Sequence, residues 1–289
     1  MQFMIIRRAD AASEADGVPS PDLIADMEAY FQRLADAGAL VMIQGFDPSA
    51  RAVRLRLGPG GDSATRGPFD AGELAAGFLV VEAASKQAAV DWARQWPVRD
   101  AAATGELKLE VRETGCPGGC AQVAPPADGE GRRYFILLRA DAASERDEVP
   151  ARARLEALDA FNAAEAAAGT LLAGDGLMSS ARGARVRISG ERITVVDGPF
   201  AEAKELIAGF WMIRAASMDE AVAWARRVPY PTGPEVVVEI RAAHGADADD
   251  GAEPGLSAGD AREESSLRAE QLDAALRAEL AARPAWDRP

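Results

Sequence analysis

Histidine, cysteine and lysine are scarce in this chain of 289 residues. It contains one histidine, His244, and two cysteines, Cys116 and Cys120. A zinc site usually needs about four ligands, and a nucleophilic triad needs a histidine near its serine or cysteine. We therefore expect no metal site, no cofactor and no such triad. We interpret the Cys-Pro-Gly-Gly-Cys segment as two loop thiols, with a redox pair as the alternative.

Long hydrophobic runs and positive net charge are missing as well. No apolar run approaches the roughly 20 residues that span a bilayer, and the N-terminus lacks the features of a signal peptide. We expect a cytoplasmic protein without membrane contact. Acidic residues outnumber basic ones by 46 to 32, for a net charge of −14. This charge repels phosphate backbones, so we expect no direct nucleic-acid binding. It suits a basic protein partner or serves solubility alone.

An internal repeat is the strongest signal in the sequence. Residues 8–14, RADAASE, recur identically as residues 139–145, and Trp92 and Arg94 recur as Trp224 and Arg226. The offset is 131 before a shared Gly-Pro-Phe turn and 132 after it, which indicates a duplication with a one-residue insertion. The repeat predicts a first domain over 1–114, a linker over 115–131, a second domain over 132–242, and an acidic linker with an amphipathic helix over 243–289.

Each copy has the pattern of strand, helix, strands, helix and strand. In the first helix of the first copy, Ser20 has the features of an N-cap, Pro21 occupies the first position, and Gly38 ends the helix. This order fits an α+β class with two tandem ferredoxin-like domains, each a four-stranded antiparallel sheet with helices on one face. The open face of such a sheet needs cover. We expect the two copies to pack face to face as an intramolecular pseudo-dimer.

The segment of residues 197–205, DGPFAEAKE, is followed by Gly209 and Phe210. It resembles the signature of the DGPF branch of the YCII-related proteins. The resemblance implies a dimeric α+β barrel fold with a ligand cleft near the Asp-Gly-Pro-Phe turn. It also implies two kinds of relatives: small-molecule enzymes such as isomerases and cofactor-free monooxygenases, and proteins encoded beside extracytoplasmic-function sigma factors. The histidine–aspartate pair of other YCII-related proteins has no match, because no histidine precedes His244.

Asp197 is the one acid that this motif places, and Arg66 stands at the equivalent position of the first copy. A carboxylate on a turn beside a cleft could act as a general base or ligand anchor. An aspartate before glycine also stabilises its own turn. The turn survives in the first copy without the acid, which favours a further role for Asp197. We assign structural turn roles to Gly67, Pro68, Phe69, Gly198, Pro199 and Phe200.

Further candidates for binding a small anionic or polar ligand are Glu202, Lys204, Arg66, Arg185 and Arg187. The first two could surround a ligand or form a solvated helix turn. The last two alternate with apolar residues on a predicted strand, so both project from one face. That face binds an anion or is exposed to solvent.

Two functions follow as hypotheses. One is a non-catalytic or weakly catalytic module that regulates, or interacts with, an extracytoplasmic-function sigma factor. The alternative is a small-molecule binding protein or cofactor-free enzyme with a cleft at the Asp197 turn.

Overall fold

The structure is a computed structural model that describes residues 1–15, 17–101, 105–117, 132–200 and 205–244. Two halves follow each other along the chain with the same order of strands and main helices, and a 3-10 segment, Ser144–Arg146, takes the place of the short first helix in the second half. The first half comprises β1 (Gln2–Arg8), α1 (Ala11–Glu14), α2 (Pro21–Asp36), β2 (Leu40–Gly45), β3 (Val53–Leu57), β4 (Ser63–Arg66), β5 (Ala75–Glu82), α3 (Lys86–Ala93) and β6 (Leu107–Glu113). The second comprises β7 (Arg132–Arg139), α4 (Arg152–Ala167), β8 (Leu171–Gly176), β9 (Ala184–Ser189), β10 (Arg192–Asp197), β11 (Ile207–Ala215), α5 (Met218–Ala225) and β12 (Val236–Ala242).

Helix α2 starts and ends where its sequence predicts. Ser20 lies at the N-cap, its hydroxyl accepts a hydrogen bond from the backbone N–H of Leu23, and Pro21 is the first helical residue. Gly38 follows the helix with a φ of 64°, a conformation that glycine adopts without steric cost. These predictions are confirmed.

The four strands contributed by each half have the ferredoxin-like order, β6-β1-β5-β2 in the first half and β12-β7-β11-β8 in the second. Each sheet nevertheless has six strands, because each half receives a hairpin from the other. The β9–β10 hairpin pairs with β6, and the β3–β4 hairpin pairs with β12. The two halves are therefore tied together by backbone hydrogen bonds as well as by side-chain packing.

The open faces of the two sheets pack against each other, as the sequence predicts. Four phenylalanines, two from each half, form the centre of this core: Phe46, Phe78, Phe135 and Phe210. The Phe78 and Phe135 rings meet edge to face with centroids 5.6 Å apart, a favoured aromatic geometry. This contact confirms the intramolecular pseudo-dimer.

On its other face, each six-stranded sheet, including the hairpin from the other half, packs against the helices of its own half. Val186 and Ile188 of β9 are buried with Tyr30 of α2 in the first half, while Leu55 of β3 is buried with Trp224 of α5 in the second. No described helix is both long and apolar enough to cross a lipid bilayer. Most of the predicted linker, the acidic linker and the C-terminal helix lie outside the described residues.

Candidate functional site

The Gly-Pro-Phe turns of both halves are packed tightly against short 3-10 segments. A Cβ atom on Gly198 would lie 1.8 Å from the carbonyl oxygen of Ser180, so no residue other than glycine fits there. The hydroxyl of Ser180 also accepts a hydrogen bond of 3.0 Å from the N–H of Phe200. Gly67 has the same 1.8 Å restriction against Ser49. Both turns contain a cis Gly-Pro bond, so the turn is architecture common to the two halves.

The phenylalanine of each turn supports an arginine from the preceding hairpin. The guanidinium of Arg185 lies 4.2 Å from the ring centroid of Phe200, and its Nε donates to Glu110 at 3.2 Å. Because Glu110 belongs to β6 and is 1% exposed, this arginine links the exchanged hairpin to the other half. Arg54 repeats the arrangement over Phe69.

The glutamate of the RADAASE segment takes part in the same ionic network in both copies. Glu145, its last residue, accepts hydrogen bonds from the backbone N–H of Ser180 and from Arg112 of the first half. Glu14 does the same in the first half with Ser49 and Arg241. The glutamate therefore fixes the 3-10 segment on which the Gly-Pro-Phe turn packs.

Glu239 is the centre of one such network, and its side chain is 1% exposed. Burial by itself raises the pKa of this carboxyl. The positive charges of Arg139 and Arg241, with hydrogen bonds from Arg54 and Arg139, outweigh burial and hold the pKa below its ordinary value. Glu239 is thus charged in the folded protein and joins arginines of both halves.

The remaining predicted site residues lie apart from one another. Asp197 is 72% exposed and pairs with Lys86 of the first half at 2.6 Å, whereas Arg66 is 70% exposed and pairs with Asp219 of the second half at 3.0 Å. Each pair joins the end of an exchanged hairpin to the first turn of α3 or α5 in the other half, with the charges reversed. Arg187, 58% exposed, pairs with Glu106. Glu202 and Lys204 lie outside the described residues.

A cavity of about 380 Å³ lies in the second half, away from the Asp197 side chain. It is formed where β8 and β11 face α4, with Leu138, Leu158, Asn162, Gly174 and Trp211 in its wall. The loop before α4 and residues 231–233 complete the rim. Concave, largely apolar pockets of roughly 300–1,000 Å³ are typical of small-molecule sites.

Cys116 also lines this cavity. It is disulfide-bonded, so the prediction of two free loop thiols is wrong for this residue. Cys120, the only other cysteine in the sequence, lies outside the described residues. Among the described residues, no group of three or more histidine, cysteine, aspartate or glutamate side chains could hold a metal ion.

The cavity marks a difference between the two halves. At the position of Gly174 the first half has Ile43, and at that of Asn162 it has Phe31. Both first-half side chains are partly buried and pack against the hydrophobic core. The second half lacks these apolar groups, although its wider Trp211 replaces Leu79 opposite the glycine. Loss of the two bulky side chains opens the space between the sheet and α4.

Asn162 is the most buried polar group of the cavity wall, with 7% exposure. Its Oδ1 accepts a hydrogen bond of 3.2 Å from the indole N–H of Trp211. An indole nitrogen only donates, so the oxygen of the amide must face Trp211. Trp211 is held in turn by an edge-to-face contact with Tyr230, whose buried hydroxyl donates to the carbonyl of Ala225. Burial raises the pKa of the Tyr230 hydroxyl above its ordinary value.

A sequence model of the YCII-related domain matches the chain twice, over residues 1–111 and 133–243. These matches cover most of the chain, which belongs to the YCII-related family. The chain is also 46% identical over 50 residues to "Uncharacterized protein R00369" of Rhizobium meliloti (strain 1021). That alignment covers 17% of this chain and 40% of the relative. The chain thus matches less than half of that protein's length, and the comparison adds no activity.

The cavity was not predicted, because no motif marks the residues that form it. A signal was present: Phe31 and Asn162 occupy the same position of corresponding helices, and Ile43 and Gly174 the same position of corresponding strands. A polar residue and a glycine at two positions that are apolar in the first copy indicate a local loss of core volume.

Proposed function

We propose that this YCII-related protein binds a small organic molecule in the cavity of its second half. The supporting observation is the replacement of Ile43 and Phe31 by Gly174 and Asn162, which leaves about 380 Å³ between the sheet and α4. Filling this volume with apolar side chains would stabilise the core by about 0.8 kcal/mol per buried methylene. The second half leaves this volume open instead, and a binding site requires such an open volume.

The first half acts as the scaffold in this proposal. Its hairpin supplies β3 and β4 to the sheet of the second half, and its own helix side is packed with Phe31, Ile43 and Met27. A duplicated protein can retain one copy for folding and change the other for binding.

A variant that restores the first-half packing tests the proposal. Asn162→Phe, Gly174→Ile and Trp211→Leu together recreate the set Phe31, Ile43 and Leu79 in the second half. The tryptophan must change with the glycine, because a Cβ atom on Gly174 would lie 3.3 Å from its Cδ1 atom. We expect the triple variant to fold and to lose the ligands that the unchanged protein binds.

The assay is a fragment screen by ligand-observed NMR, followed by dissociation constants for each hit. Asp197→Asn is the matched control, since the alternative cleft at the Asp197 turn predicts loss of binding in that variant. Hits that the triple variant abolishes and Asp197→Asn leaves unchanged support the cavity. Hits that only Asp197→Asn abolishes would refute it in favour of the turn, and a screen with no hits would refute both sites.

Association with an extracytoplasmic-function sigma factor stays a prediction. Its support in the sequence is the acidic linker and the amphipathic helix after residue 242, which lie outside the described residues apart from Ala243 and His244. Co-purification of the full chain with an extracytoplasmic-function sigma factor of the same organism tests this prediction, and a chain ending at residue 244 is the control.

A further inference from the structure

We infer that the ligand of this cavity is an uncharged molecule with an apolar, preferably aromatic body and a hydrogen-bond acceptor that contacts Asn162. The inference rests on the proposed function, because it concerns the same cavity. The volume of the cavity alone does not decide which class of molecule binds there.

The first argument is the state of the Asn162 amide. Its oxygen is occupied by the N–H of Trp211, so the group left over is the NH2. This nitrogen donates to no described residue, and Asn162 as a whole is 7% exposed. Water can reach this NH2 through the open cavity, but a ligand that fills the cavity excludes that water, and a donor then left buried without a partner costs about 1–3 kcal/mol. A ligand carbonyl or ether oxygen in the cavity would remove that cost, whereas a ligand donor would repel the NH2.

The second argument is the charge of the wall. Three charged side chains belong to the lining: Glu148, Asp175 and Arg154. Glu148 is exposed and paired with Arg146, and the exposed Arg154 donates to the carbonyl of Thr232. Both therefore lie at the solvent rim.

Asp175 does not face the inner part of the cavity. It is opposite Phe210 in the β8–β11 pairing, whereas Gly174 is opposite Trp211. Because successive strand residues point to opposite faces, its side chain lies on the Phe210 side of the sheet and not on the Trp211 side, and its Oδ1 accepts a hydrogen bond from the backbone N–H of Gly176. The inner wall is thus uncharged, and a charged ligand group would lose its hydration there without gaining a counter-charge.

The third argument is the shape of the apolar wall. Trp211 is 6% exposed, and Leu158 and Leu138 are buried on the same side of the sheet. An indole next to branched aliphatic side chains offers a rigid apolar wall to a planar ring. These features together favour a compact aryl ketone, ester or lactone over an acid, an amine or a hydrocarbon.

Three probes with the same number of non-hydrogen atoms separate these classes: acetophenone, cumene and benzoate. We expect acetophenone to bind at least about tenfold more tightly than either of the others, a difference that one hydrogen bond to a buried donor can supply. Asn162→Leu should remove this preference. The side-chain NH2 signals of Asn162 in ¹⁵N-labelled protein should shift on addition of acetophenone but not of cumene, a readout that does not depend on how the variant folds.

The outcomes separate this inference from the proposal on which it rests. Equal or tighter binding of cumene or benzoate, abolished by the triple variant, would overturn the ligand class and retain the cavity as a binding site. Unshifted NH2 signals with bound acetophenone would overturn the role of Asn162. If the fragment screen also gives no ligand that the triple variant loses, both the class and the proposed function are wrong.

Discussion

Replacing Glu239 by glutamine should destabilise the protein strongly, because this residue is a buried counter-charge shared between the halves. Its carboxylate accepts hydrogen bonds from Arg54 at 3.0 Å, from Arg139 at 2.7 Å and from Arg241 at 3.1 Å. The neutral amide leaves these guanidinium groups without a negative charge and turns one acceptor into a donor. Breaking a buried ion pair on one side costs about 3–5 kcal/mol.

The matched control is Glu235→Gln, which removes an ion pair with Arg56 just before the same strand. Glu235 and Arg56 are 55% and 58% exposed, and exposed pairs contribute about 0–1 kcal/mol. Urea denaturation followed by tryptophan fluorescence measures both free energies of unfolding. Because the arginines come from both halves, we also expect Glu239→Gln to reduce the cooperativity with which the halves unfold. Equal destabilisation by the two variants would refute the role of Glu239 as a shared buried counter-charge.

Three further predictions concern the turn, the pH dependence and Asp197. Gly198→Ala should cost about 1–3 kcal/mol or more of stability, since its Cβ would overlap the carbonyl of Ser180. Gly60→Ala is the control: no atom lies within 4 Å of its new Cβ, so thermal melts of the two variants should show a loss of stability for Gly198→Ala alone. The pKa of Glu239 is lowered from its ordinary 4.5 in the folded protein. The contribution of its charge to stability is therefore complete above pH 4.5 and is lost as the pH falls through the lower pKa of the folded state. Urea midpoints between pH 7 and pH 3 should fall more steeply for the unchanged protein than for Glu239→Gln. Asp197→Asn should change the free energy of unfolding by less than about 1 kcal/mol, because the carboxylate is 72% exposed; a larger loss would show that its pair with Lys86 fastens the exchanged hairpin.

The order of elements and the face-to-face packing could be predicted because both follow from local patterns. Ser20 and Pro21 fix the start of α2 by capping geometry, and Gly38 ends it through its positive φ. The apolar faces of the two sheets require a cover, which each copy can give the other. These features depend on neighbouring residues or on a repeat that is visible in the sequence.

The exchange of the hairpins could not be predicted in this way. The alternation of Val186, Arg187 and Ile188 specifies a strand with one buried face, and it is the same whichever sheet receives the strand. The choice depends on contacts distant in sequence, such as the hydrogen bond between Arg185 and Glu110. Only the structure shows that the charges repeated in the two copies meet across the two halves.

The candidate site was placed at Asp197 because a motif draws attention to residues that are present. The structure assigns Gly198 and Phe200 of this motif to packing and leaves Asp197 on the surface. The cavity arises from atoms that are missing at Gly174 and Asn162. Such a site becomes visible in a sequence when the two copies are compared position by position for side-chain volume.

Crystals of the protein soaked with the fragment library provide the most direct test of the central claim. The account predicts ligand density between β8 and α4, in contact with Asn162 and Trp211, and none at that place in crystals of the triple variant. Ligands found only at the Asp197 turn or in the first half, with the cavity of the second half occupied by ordered water alone, would contradict it.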